Sequence, residues 1–291
     1  MTFSALETIT SAKNAKVKAW EKLTDTRGSA KAGEILIEGS RQIETASAGH
    51  RLNALIFADN PAGECAYREW RDRVTDGSER EIPVYRLSEQ LFRKLSFTDH
   101  SQGIIAVMPI PALRECTPEM LTAGRPLVYL DGLADPGNLG TIIRTADALG
   151  FAGLILSDHC VSPFNPKVTR SAMGSIFHLP LYGAADFTSF ARASGAVATI
   201  AADLDGILLP NFDSELDKLL EPTGKRYREA PVLVIGNEAH GISAETLDQV
   251  KFRVNIPMFG EAESLNAAIA FGILGYALIR PLISSSHCPD K

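Results

Sequence analysis

The 291-residue chain predicts an α/β fold in two parts, the second built on a mostly parallel sheet. Three observations carry this. After residue 126, near-continuous apolar runs ("LVYLDGL", "GLILSD", "AVATIAA", "PVLVIGN", "FRVNIPM") alternate with helical stretches. Strands that are apolar on both faces belong to parallel sheets covered by helices on each side. Before residue 108, shorter β-rich runs ("ILIEG", "ALIFAD", "IPVYRL", "GIIAVM") alternate with helical segments on the scale of a small α/β domain. Between them, "MPIPALRECTPEMLTAGRP" carries four prolines and breaks the pattern.

In chain order, residues 1–33 read as a helical arm centred on "SAKNAKVKAWEKL". Its Lys13, Lys16, Lys18, Lys22, Arg27 and Lys31 outnumber Glu7, Glu21 and Asp25. Such a patch suits nucleic acid, and a solvated helix face is the alternative. Residues 34–108 form the small α/β domain, with helices at "SRQIETASAG" and "SEQLFRKLS". Residues 109–126 are the linker. Residues 127–291 form the sheet domain, which ends in a long apolar helix, "ESLNAAIAFGILGYALI", and a polar tail, "SSSHCPDK", expected to fray.

Residues 1–126 carry 17 basic and 17 acidic side chains, so the net charge of −6 falls entirely in the second part. No apolar stretch reaches about 18 residues, so no membrane span is expected. The start, "MTFSALETITSAKNAKVK", lacks the basic and apolar segments of a secretory signal. Cys65, Cys116, Cys160 and Cys288 are widely spaced, and neither they nor the six histidines form a metal-binding pattern. The expectation is a metal-free cytoplasmic protein with free thiols.

Ligands of parallel α/β sheets collect outside the carboxyl ends of the strands, and three loops there carry polar residues. "DPGNLGTIIRTADALG" follows the run "LVYLDGL". Its glycines permit a tight turn, but the spacing matches neither GxGxxG nor the phosphate-binding GxxxxGK loop. Leu139, Ile142, Ile143, Ala146 and Gly150 form the sheet-facing stripe of its helix. Arg144 lies opposite, near Thr141 and Ala148, where a surface arginine is the alternative to a functional one. Asn138 suits a helix cap. The second loop, "VLVIGNEAHGIS", places Glu238 at a strand end beside Gly236, with Ser243 capping the next helix. An exposed loop carboxylate is the plainer reading of Glu238. In the third loop, "NIPMFGEAESLNAAIAFG", Ser264, Leu265 and Asn266 open the last helix; Ser264 suits a cap and Leu265 a core position. The small residues that follow suggest close packing.

In order and wording these three loops resemble the motifs of the SpoU (TrmH-type) RNA ribose 2′-O-methyltransferases of the SPOUT superfamily. "SPFNPKVTRSAMGSIFHLPL" resembles the family's segment between its first and second motifs. More weakly, "ITSAKNAKVKAWEKL", "ILIEGSRQIETA" and "HSQGIIAVM" resemble the RNA-binding arm and substrate-binding domain of many members. The resemblance implies a C-terminal trefoil knot whose loops hold S-adenosylmethionine, with Gly236, Ile256 and Leu265 as backbone contacts. It implies Arg144 as the catalytic residue, with Asn138, Glu238, Ser264 and Asn266 placing it, the ribose or the cofactor. Lys167 and Arg170 would contact RNA phosphates, ordinary surface charge being the alternative. Members act as homodimers. Ribosomal RNA is favoured over transfer RNA as substrate, by analogy with members that carry such an N-terminal domain.

Two roles for Arg144 stay open. A general base must reach the proton of the attacking 2′-hydroxyl, yet arginine as a residue type keeps its proton in proteins. The other role is a bidentate clamp on a substrate phosphate that orients the hydroxyl. Before "EILIEG", where many members carry a dense basic cluster, this chain reads "RGSAKAGE", which implies weaker RNA affinity through the arm. A non-catalytic RNA-binding assembly factor is the alternative function, disfavoured because Asn138, Arg144, Glu238 and Asn266 are all present. A nicotinamide-dependent oxidoreductase is disfavoured by the missing GxGxxG.

Overall fold

The computed structural model describes residues 2–284 apart from 4, 75–80, 185, 195–197 and 221–226. The tail beyond Ser284, with Cys288, lies outside the described residues. Two compact units emerge, Met1–Ala112 with Phe164–Phe177, and Leu113–Pro163 with His178–Lys291. The sequence division kept residues 164–177 with the sheet domain.

The first unit contains β1 (Thr2–Phe3), β2 (Glu7–Ile9), α1 (Ala15–Lys22), α2 (Thr26–Ala32), β3 (Glu34–Glu38), α3 (Ser40–Gly49), β4 (Ala54–Asp59), α4 (Pro61–Val74), β5 (Glu81–Ile82), β6 (Val84–Ser88), α5 (Glu89–Leu95) and β7 (Ile104–Pro109). Five strands form a mixed sheet in the order β2-β6-β4-β7-β3. In it β7 runs antiparallel to β3 and β4, and the other pairs are parallel. The first 33 residues are not a separate arm. Asn14 caps α1 by accepting from Lys16 N at 2.8 Å, and Asp25 caps α2 by accepting from Gly28 N at 2.8 Å. Val17 and Trp20, three apart and so on one helix face, bury in one core with Leu36, Ile56, Leu87 and Ile105. That apolar face holds the helix to the sheet, leaving its lysines outside.

The second unit opens with β8 (Arg114–Glu115), β9 (Leu127–Asp131), α6 (Pro136–Leu149) and β10 (Gly153–Ser157). The chain then supplies α7 (Pro166–Ser171) to the first unit, where Asn165 Nδ2 donates to Thr26 Oγ1 at 2.9 Å. It continues through β11 (Leu181–Ala184), α8 (Phe187–Ser194), β12 (Thr199–Leu208), α9 (Asp213–Leu219), β13 (Val232–Gly236), α10 (Ala244–Leu247), β14 (Phe252–Asn255) and α11 (Ala267–Ser284). Seven strands lie in the order β14-β12-β13-β9-β10-β11-β8, and every pair is parallel. The proline-rich stretch read as a linker therefore supplies an edge strand, and its Pro118–Ala123 forms a 3₁₀ turn.

The chain winds outward from β9 to β11, crosses over to β12, and inserts β13 beside β9. This reversal at β9 is a switch point, where loops from neighbouring strands diverge and leave a crevice at the carboxyl edge. The four residues Leu127 to Leu130 are fully buried, as the apolar run predicts. On α6, Leu139, Ile142, Ile143 and Ala146 are buried. On α11, Phe271 stacks edge-on against Phe151 at 5.3 Å, and a Cβ at Gly275 would stand 3.2 Å from Leu149. The small residue thus lets α11 approach α6 closely. Among the described residues no helix is long and apolar enough to cross a membrane.

Two fully buried tyrosines of this unit differ in one respect. The Tyr227 hydroxyl donates to Leu278 O at 2.6 Å, tying α11 to the body. The Tyr129 hydroxyl, packed edge-on to Phe187 at 4.9 Å, has no partner among the described residues. Tyr227→Phe is expected to destabilise by about 1 kcal/mol, whereas Tyr129→Phe is neutral or stabilising, because it removes a desolvated, unsatisfied group. Urea midpoints of the two variants would separate these outcomes.

Candidate active site

Three loops leave the carboxyl edge of the second sheet, at residues 132–135 after β9, 237–243 after β13 and 256–266 after β14. Asp135, not Asn138, caps α6, accepting from Asn138 N at 2.8 Å, with Pro136 in the first turn. The Asn138 side chain is thereby free to bridge the loops. Its Nδ2 donates to Glu238 Oε1 at 2.9 Å, and its Oδ1 accepts from Asn266 Nδ2 at 2.9 Å. Asn266, rather than Ser264, caps α11, its Oδ1 accepting from Ala268 N at 2.9 Å and Ile269 N at 3.3 Å. Glu238 also accepts from Ala134 N at 3.1 Å and Asp135 N at 3.0 Å. One hydrogen-bonded chain therefore joins all three loops through Asn266, Asn138 and Glu238. Burial pushes the Glu238 carboxyl up, but the bonds from Asn138 and the backbone N–H groups outweigh it and hold the group below its ordinary value.

Two residues not singled out in the sequence hold the same loops. Asn237 donates from Nδ2 to Gly132 O at 2.7 Å and accepts from Ala239 N and His240 N at 2.9 and 3.1 Å. Asp131 Oδ2 accepts from Ser243 N and Oγ at 2.9 and 2.8 Å. Both are polar side chains at or just past the carboxyl end of an apolar strand, a signal that the sequence carried. Gly236 has a steric reason to be glycine: an added Cβ would lie 2.2 Å from the Gly241 carbonyl carbon and 2.3 Å from Ile242 N. The loop folds back onto this strand end.

Beside these loops lies a cavity of about 740 Å³. Gly236, Ile256 and Leu265 line it, as do Glu238, Ser264 and Asn266. Ile235, Ile242, Leu247 and Val254 supply apolar wall, and Asp203, Asp205 and Glu263 supply carboxylates. Asn138 and Arg144 are not among the lining residues. Arg144 is exposed on α6 with Thr141 and Ala148, and among the described residues its side chain makes no hydrogen bond or ion pair. Lys167 and Arg170 sit on α7, in the first unit, and neither lines the cavity. Both are exposed, and Arg170 Nη1 donates to Phe97 O at 2.8 Å. The structure thus brings together six of the ten residues named from sequence around the cavity, with Asn138 bonded to two of them.

The SpoU rRNA Methylase family matches residues 125–276 and the MRM3-like substrate binding domain matches residues 14–106. The chain is 33% identical over 280 residues to the 23S rRNA (guanosine(2553)-2′-O)-methyltransferase RlmP of Bacillus subtilis, covering 94% of this chain and 99% of that protein. It is 31% identical to a 23S rRNA (uridine(2479)-2′-O)-methyltransferase of Streptomyces viridochromogenes, covering 94% and 92%. The crystal structure of an AdoMet-bound rRNA methyltransferase from Sinorhizobium meliloti aligns with a TM-score of 0.75 at 28% identity, covering 95% of this chain and 98% of that one. With a family match over more than half its length and relatives matched almost end to end, the chain belongs to the SpoU rRNA methylase family, the RNA ribose 2′-O-methyltransferases that its three loop motifs resemble.

Proposed function

We propose that this protein transfers a methyl group from S-adenosylmethionine to a ribose 2′-hydroxyl of structured RNA, ribosomal rather than transfer RNA. The observation that carries this reading is the chain of Asn266, Asn138 and Glu238, which binds three loops into one rim beside the cavity. A cavity of this volume suits a ligand of the cofactor's size. Its apolar wall fits an adenine, the backbone at Gly236, Ile256 and Leu265 can meet polar edges, and its carboxylates complement a cation. S-adenosylmethionine, when bound, supplies a methyl group activated on a sulfonium.

The protein's own groups position the attacking oxygen. Glu238 is occupied as an acceptor of backbone and amide N–H groups, so it organises the rim rather than taking the proton. Ser264 faces the cavity from the third loop. Arg144 presents, from the exposed face of α6, a guanidinium with no partner among the described residues, which supports the clamp over the base: it grips a substrate phosphate and holds the ribose for in-line attack. Lys167 and Arg170 add phosphate contacts. The preference for ribosomal RNA is supported by the relatives named for 23S rRNA and by the N-terminal substrate-binding domain.

The trefoil knot belongs to this reading; the crossover that inserts β13 between β12 and β9 supports it. So does a homodimer, supported by the stripe of Ile269, Ile273, Tyr276 and Ile283 left exposed on α11. The protein acts in the cytoplasm, where assembling ribosomal RNA is found. Calorimetry with S-adenosylmethionine should show binding. Mapping 2′-O-methyl marks on ribosomal and transfer RNA should show one ribosomal mark missing from a strain that lacks the protein. A missing transfer-RNA mark would reassign the substrate, and no cofactor binding would favour the assembly factor.

A further inference from the structure

We propose that Phe259 is a stacking platform for a nucleobase of the RNA substrate, beside the cavity. Phe259 is 98% exposed, more than any other large apolar side chain among the described residues. An exposed aliphatic residue is ordinary, but a whole phenyl ring held out in water invites a partner. Its place in the chain says which. Met258, immediately before it, lines the cavity, as do Ile256 on one side and Glu263, Ser264 and Leu265 on the other. The ring therefore stands on a loop whose two ends both border the proposed site of methyl transfer. A ribose brought to that site carries its base with it. Sequence-tolerant RNA contacts are made by stacking unpaired bases on aromatic rings.

A second copy of this chain is the competing occupant. Interface cores are depleted of charge, whereas Phe259 is followed within four residues by Glu261 and Glu263. The longer apolar stripe on α11, whose one exposed charge, Arg280, is paired with Asp213, suits a copy better. The same two carboxylates disfavour phosphates at this point and leave the base as the part of the RNA that meets the ring.

The inference rests on an RNA substrate, and its test separates the two. Fluorescein-labelled hexa-adenylate, with S-adenosylmethionine present, serves as the single-stranded probe in anisotropy titrations of the full chain. Phe259→Ala should weaken binding about tenfold, the loss of one base stack. Phe259→Tyr should restore it, and Phe259→Leu, apolar but without a π face, should not. S-adenosylmethionine affinity and sedimentation behaviour should match the wild type in all three. Equal binding by wild type and Phe259→Ala, full rescue by Phe259→Leu, or a change in oligomeric state would overturn the proposal. A wild type that binds the probe through Phe259 yet methylates no ribosomal RNA would leave the platform standing and overturn the proposed reaction.

Discussion

Arg144→Ala is expected to lower kcat on ribosomal RNA about a hundredfold or more while leaving S-adenosylmethionine affinity unchanged. The two readouts separate because Arg144 does not line the cavity. The fold should survive, since the side chain is exposed, has no partner among the described residues, and is replaced by the best helix former. Arg144→Lys then distinguishes the two chemistries. A lysine keeps the charge but loses the planar fork that grips a phosphate through two bonds. If Arg144 is a clamp, Arg144→Lys stays at least about tenfold below wild type at every pH. If it is a base, activity recovers as pH rises through the lysine range. Wild-type cofactor-saturated turnover by Arg144→Ala would remove the residue from the mechanism altogether.

The contrast between Arg144 and Asn138 shows what was legible in the sequence. Helical spacing alone placed Arg144 on the outer face, and there it lies. Spacing could not say what Asn138 does beyond suiting it to a helix cap. Asp135 takes that task, and only the fold reveals that Asn138 is then released to reach two loops about a hundred or more residues away. The apolar strands β9, β10 and β13 read clearly because they are buried on both faces. β8 did not: Arg114 and Glu115 are both exposed, carry no apolar signal, and join the sheet edge only through tertiary pairing. The first helix misled for a related reason. Its lysines are conspicuous, while the apolar face that attaches it buries only Val17 and Trp20 within the helix. The apolar runs also left open which strand lies beside which, and the strand order decides that the three loops share one edge.

Glu238→Gln is expected to loosen the rim and lower methyl transfer at least about tenfold, with a stability loss of about 1 kcal/mol at neutral pH. The figure sits at the low end for bonds to a charged acceptor because the loop is solvent-exposed. The reason is geometric. The carboxylate accepts from Ala134 N, Asp135 N and Asn138 Nδ2, so both oxygens face donors. An amide offers one oxygen and one NH₂, and the NH₂ must point at an N–H. The pH dependence follows from the same bonds. Because the folded-state value is held below the ordinary 4.5, the unfolded chain takes up the proton first as pH falls. The stabilisation is complete above the ordinary value and is lost as pH falls through the lower folded-state one. Urea midpoints measured from pH 7 downward should show wild type and Glu238→Gln farthest apart at neutral pH and converging below about pH 4.5. A gap that stays constant across that range would mean that the carboxylate's charge does not hold the loops together, and that shape alone does.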